Sequence, residues 1–180
     1  MSAEDFTLLG LPRALAVLVI AALPISELRG AIPVAINLFH FPWYYALGLA
    51  VIGNMLPVPF ILLLFGAVAR LLEKVAFLRR PLHWFYAYTR RRGTIAERYQ
   101  LVGLSLFVAV PLPFTGAWTG SLIAVLFGLS FGRAFLSILL GVCIAGVIVT
   151  CLSLLGWVGA AIAGVGLAAL AVSGLWKASK

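Results

Sequence analysis

Pro24-Ile25-Ser26-Glu27-Leu28-Arg29-Gly30-Ala31-Ile32-Pro33 is the stretch that decides the fold. It sets a glutamate and an arginine between two prolines in otherwise apolar surroundings. The apolar run before it, residues 14–23, makes only about 15 Å of helix, half the hydrocarbon thickness of a bilayer. The run after it, residues 31–39, is equally short and ends at His40, Phe41 and Pro42, residues suited to the membrane interface. Neither run crosses a membrane alone. The stretch therefore reads as the tip of a re-entrant hairpin of two half-helices, residues 10–41, with Pro24 and Pro33 as helix breaks.

The composition around this motif supports a membrane setting. Of 180 residues, 64% are hydrophobic and 10% charged, and the mean hydropathy is +1.16. Soluble domains run about 45–50% apolar and about 25% charged, so the expected class is all-α: a polytopic integral membrane protein. Cys143 and Cys151 are too few for a disulfide framework or a cysteine-rich metal site, and they read as small apolar packers. The net charge of +8 comes largely from Arg70, Lys74, Arg79, Arg80, Arg90, Arg91, Arg92 and Arg98. This cluster forms one basic loop, residues 70–98, which the positive-inside rule places in the cytoplasm. Its aromatic residues fit an interfacial segment with snorkelling arginines better than a base-stacking surface, so no nucleic-acid partner is expected. Residues 14–23 follow Glu4 and Asp5 with Arg13 as their one cation, and read as a retained segment rather than a cleaved signal.

Further along, residues 42–69 are long enough to cross once, interrupted by Asn54, Pro57 and Pro59. Thr94-Ile95-Ala96-Glu97 has capping-box spacing after Gly93 and predicts a helix start. That helix meets Pro111 and Pro113 too early to have crossed, and the chain resumes after Thr115. Residues 99–130 thus read as a second re-entrant hairpin. Arg133 marks a return to the cytoplasmic side, and residues 131–177 supply two more spanning helices, for about three in all, with a cytoplasmic C-terminus. Gly141, Gly146, Gly156, Gly159, Gly164 and Gly166 in that last pair are expected to serve close helix packing.

The two breaks resemble each other. Leu23-Pro24-Ile25-Ser26 and Leu112-Pro113-Phe114-Thr115 share leucine, proline, a bulky apolar residue and a hydroxyl. One span lies between them, so the repeat is inverted, as in many secondary transporters. Ser26 and Thr115 stand where N-caps belong, which predicts two helix N-termini converging near the midplane. Such termini bind phosphate or carboxylate, and Arg29 adds a planar, bidentate cation. Glu27 is its expected partner at rest and a candidate proton carrier, because low dielectric favours a protonated carboxyl group. A purely structural ion pair is the plainer alternative, against which stands the cost of charge at bilayer depth, about 2.5–3.5 kcal/mol. The expected substrate-binding set is Ser26, Glu27, Arg29, Gly30, Thr115, Gly116, Trp118 and Thr119. Asn54 is a further candidate that is as readily packing glue. Trp118 either stacks on substrate or fills the tip.

The segments 24–33 and Pro111-Leu112-Pro113-Phe114-Thr115-Gly116-Ala117-Trp118-Thr119-Gly120 resemble the two signature loops of the small multidrug export protein family. That family is distantly similar to the DedA (SNARE-associated, VTT) superfamily. The likeness implies paired re-entrant hairpins and movement of lipids, undecaprenyl phosphate among them, between leaflets; the export name implies a cationic drug instead. With His40 and His83 as the only histidines and no second acid at depth, neither a triad nor a metal cluster can be assembled, and no enzyme, metal or cofactor is expected. The expectation is a proton-coupled secondary transporter of the inner (cytoplasmic) membrane, moving an anionic headgroup such as a lipid phosphate. Its partners are membrane lipids, the small-molecule or lipid-phosphate substrate and protons, and a homo-oligomer is compatible. A multidrug/proton exporter using Glu27, and a non-transporting structural membrane protein, are the alternatives.

Overall fold

A computed structural model describes residues 12–72, 93–112, 115–156 and 158–159. Every regular element among them is helical: α1 (Arg13–Ala22), α2 (Glu27–Pro33) with a π-helical turn (Val34–Leu38), α3 (Trp43–Met55), α4 (Pro57–Leu72), α5 (Gly93–Ala109), α6 (Ala117–Leu126) and α7 (Phe131–Leu154).

α1 stops at Ala22 because Pro24 cannot continue it; Leu23 is extended, with ψ 139°. Pro33 behaves otherwise than the sequence suggested. It does not break the helix. Its φ of −58° is helical, and the chain runs on through it into a wider turn, where Phe39 N–H reaches Val34 C=O at 3.0 Å, five residues back. The chain turns at His40, whose φ is +55°, and Pro42 then precedes α3.

α3 and α4 meet at Leu56, where Pro57 and Pro59 withhold two backbone donors. Within them, residues Trp43–Phe65 are long and apolar enough to cross a membrane, and so is α7. Helix α4 reaches Leu72 and α5 begins at Gly93, so both ends of the basic stretch 70–98 are helical, while residues 73–92 lie outside the described residues. So does most of the second helix expected within 131–177. Arg133 sits inside the first turn of α7 rather than before it.

The closest packing is made by small side chains around a few large ones such as Leu28, Ile32 and Ile138, while many large apolar side chains face outward. α1 packs along α3, α5 along α7 and α6 on α4, while α2 touches α1, α3 and α7. Ala31, Ala35, Ala46, Ala50, Ala117, Ala124 and Ala134 are fully buried, while Ile52, Phe60, Leu63, Leu64, Leu136 and Leu140 are exposed. Large apolar side chains exposed in this number are not what water favours; short side chains let helix backbones approach closely in lipid. At the tightest crossings no Cβ fits. One on Gly53 would come within 2.6 Å of Leu18 O, and one on Gly141 within 2.6 Å of Ser105 O. Cys143 and Cys151 correct an expectation: both are exposed on α7 rather than packed between helices.

Candidate functional site

The turn at residues 23–26 places Glu27 at the first position of α2 with φ +46°, in the left-handed region that a side chain disfavours. Ser26 precedes it, but its hydroxyl does not cap α2. It donates backwards to Ile20 O at 2.7 Å, serving a carbonyl in the last turn of α1. Helix α2 is closed instead by backbone bonds, Glu27 N–H to Leu23 O at 3.0 Å and Gly30 N–H to Ser26 O at 2.9 Å.

The second break is built differently. Residues Val110, Pro111 and Leu112 leave α5 in a non-helical path; Pro113 lies outside the described residues. Thr115 stands one residue before the cap of α6, which is Gly116. Its Oγ1 lies 2.7 Å from Val110 O and 2.8 Å from Leu112 O, and accepts from Leu112 N–H at 3.2 Å. The hydroxyl thus folds the loop onto itself rather than capping the helix. The first turn of α6 is served from within by Thr119, whose Oγ1 accepts from Gly116 N–H at 3.1 Å.

The remaining amides of that turn are met from the other break. The Glu27 carboxylate lies against the start of α6, beside the backbone N–H groups of Ala117 and Trp118. Glu27 is 5% exposed, and a Cβ on Gly116 would fall onto its carboxylate, so glycine at 116 is what admits it. One carboxylate therefore lies at the positive ends of both α2 and α6. Arg29 reaches the same loop: Nη1 donates to Leu112 O, and Nη2 donates to Thr115 Oγ1 at 3.1 Å. It lies 3.9 Å from Glu27 Oε2, a looser contact than either partner's bond across the gap. Its buried Nε has no protein partner. From the second break back to the first, Trp118 Nε1 donates to Ala22 O at 3.1 Å, at the end of α1.

Of the residues expected at the site, Glu27, Arg29, Thr115, Gly116 and Trp118 come together, with Thr119 supporting the turn and Gly30 in the first turn of α2, where a Cβ would sit 2.9 Å from that of Ser26. Ser26 faces α1. Asn54 is fully buried, and neither its Oδ1 nor its Nδ2 has a protein partner. The expected image of two bare N-termini awaiting an anion needs revision, because the chain supplies that anion itself. The indole bond of Trp118 was not legible in sequence. The docking of Glu27 left a trace: Gly116-Ala117-Trp118 opens a helix with no acid in its first turn, while the matching motif carries one. A separate groove of about 620 Å³ between α5 and α6 is lined by Tyr99, Gln100, Leu104, Phe107 and Ile123 and shares none of these residues.

Apolar helices, two of them long enough to cross a membrane, with large apolar side chains turned outward and a part-buried ion pair at the first break that contacts the second, define a helical membrane protein. Residues 27–148, which include both breaks from Glu27 onward, match the family described as "Putative small multi-drug export protein". The chain belongs to that family. No curated protein and no solved structure matches it.

Proposed function

We propose that the protein is a secondary transporter of the inner membrane whose cargo passes between the two breaks, each the tip of a re-entrant hairpin, residues 10–41 and 99–130, related as an inverted repeat. The basic stretch 70–98 and the C-terminus then lie in the cytoplasm. The cargo is carried unchanged, and no catalytic role is assigned. The observation that supports this reading is the setting of Glu27, a carboxylate resting on the first amides of α6 with a guanidinium beside it. A place that accepts a carboxylate suits other anionic oxygen groups, so the cargo is read as bearing an anionic headgroup such as a lipid phosphate. Cargo and Glu27 compete for the same amides. Protonation removes the charge that holds Glu27 there and admits the cargo; loss of the proton restores the carboxylate and expels it.

The family match favours a second cargo class, an apolar cation paired with Glu27 after its release from α6. Reconstitution into sealed vesicles with an internal pH dye separates the two. Proton flux triggered by a short-chain lipid phosphate and lost in Arg29→Ala supports the anionic cargo. Flux triggered by tetraphenylphosphonium and lost in Glu27→Gln supports the cationic one. Flux with neither class refutes proton-coupled transport through this site.

A further inference from the structure

We infer that the two tips form one interlocked latch, in which residues 22–29 on one side and residues 112 and 115–118 on the other cap each other's helix ends and release together or not at all. The contacts themselves owe nothing to the identity of a cargo; their use in transport rests on the function proposed above.

The caps are reciprocal. The first segment gives the second an acceptor at its helix start, the Glu27 carboxylate against Ala117 and Trp118 N–H, and a further donor to its loop, Arg29 on Leu112 O and Thr115 Oγ1, which also bond to each other. The second returns a donor, Trp118 Nε1 on Ala22 O. Local groups able to replace these bonds are already committed: Ser26 Oγ to Ile20 O, Thr119 Oγ1 to Gly116 N–H and Thr115 Oγ1 to its own loop. Withdrawal of either segment alone therefore takes the carboxylate from the first amides of α6 on one side and the indole donor from Ala22 O, at the end of α1, on the other. Away from water each stranded group is costly, and no solvent replaces the lost partner. Partial release is the least favourable arrangement, which makes the pair a two-state element rather than two independent flaps.

Glu27 also holds the latch under tension. Its φ of +46°, set with the turn at residues 23–26, accompanies the seat of the carboxylate on α6, and withdrawal of the carboxylate gives the residue freedom to relax to an ordinary helical or extended conformation. The engaged state is thus opposed by its own backbone, so a change of charge at one carboxylate is well placed to tip the balance.

Alkylation of buried cysteines in the full-length purified protein tests this. In a background with Cys143 and Cys151 replaced by serine, single reporters are placed by Ala21→Cys at the end of α1, Ser121→Cys in α6 and Ala145→Cys in α7, all buried positions. Each reporter is reacted with N-ethylmaleimide in three forms: otherwise unaltered, with Glu27→Gln, and with Trp118→Phe. These perturb the latch from opposite sides. The expected result is that either substitution raises the rates at 21 and 121 by the same factor, about tenfold for one charged or one indole hydrogen bond lost, with no change at 145. A rise at only one tip, or at neither, overturns the latch, and so does an equal rise at all three, which would be general loosening. Because alkylation needs no cargo, independently moving tips in a protein that still transports would refute the latch and leave the proposed function standing.

Discussion

Replacement of Gly116 by alanine isolates the docking of Glu27. Gly116 has φ 175° and ψ −164°, extended backbone that alanine adopts freely, so strain is not at issue. The added Cβ would fall onto the Glu27 carboxylate, which must withdraw from Ala117 and Trp118 N–H. Hydrogen bonds to a charged group contribute about 1.5–3 kcal/mol each, and a displaced carboxylate weakens two of them without abolishing both. The expected loss is about 2–4 kcal/mol, which at roughly 2–4 °C per kcal/mol for a chain of this size lowers Tm by about 4–16 °C. Gly103 in α5 is the control, because a Cβ there meets nothing within 4 Å. Gly103→Ala should be neutral or raise stability by up to about 1 kcal/mol through helix propensity. Thermal unfolding of detergent-purified protein reads both. The double variant Glu27→Ala/Gly116→Ala completes the cycle: with the carboxylate gone the collision is gone, and the two losses should fall short of adding. If Gly116→Ala unfolds like Gly103→Ala, or adds fully to Glu27→Ala, the carboxylate does not depend on the space at 116.

Four further outcomes are expected. Arg29→Lys should impair vesicle transport while the protein still folds, since a point ammonium cannot span Leu112 O and Thr115 Oγ1 as the guanidinium does; Glu27→Gln should keep cargo binding but lose its response to pH. Asn54→Leu removes an amide that is fully buried without protein partners and should be neutral or stabilising by about 1–3 kcal/mol in the same thermal assay, with a large loss counting against that account. For topology, a cysteine introduced at Arg91 in intact cells should resist an impermeant maleimide added outside while one at His40 reacts, and the reverse pattern would invert the orientation.

The two breaks were legible because their cause is covalent: Pro24 cannot donate to α1, and Leu23 before it is pushed out of the helical region. Charge was legible for a similar reason, since Glu27 and Arg29 are too costly at depth to be without mutual or backbone partners. The partners were not. A hydroxyl beside a proline break satisfies either the helix that ends or the helix that begins, and local spacing does not choose between them. Ser26 turned to α1, and Thr115, one residue short of the cap, turned to its own loop. Likewise Pro33 carries the same covalent deficit as Pro24, yet the chain stays helical through it and runs on into the wider turn. The cysteines of α7 were misread because apolar character alone does not distinguish a helix–helix face from a lipid-facing one.

That wider turn has a bearing on how the chain can vary. A turn closed five residues back holds one residue more than an α-helical turn. Removing a single residue from Val34–Leu38 should therefore let the backbone close as ordinary α-helix, with α2 before it and Phe41 after it keeping their phase about the axis. A deletion between Leu28 and Ile32 would instead rotate these two by about 100° relative to each other, so that they could not both fill the core they share. Natural chains of this family that differ in length by one residue in the first hairpin would be expected to take the difference up here, and an engineer seeking a place for a one-residue change of length would begin at the same turn.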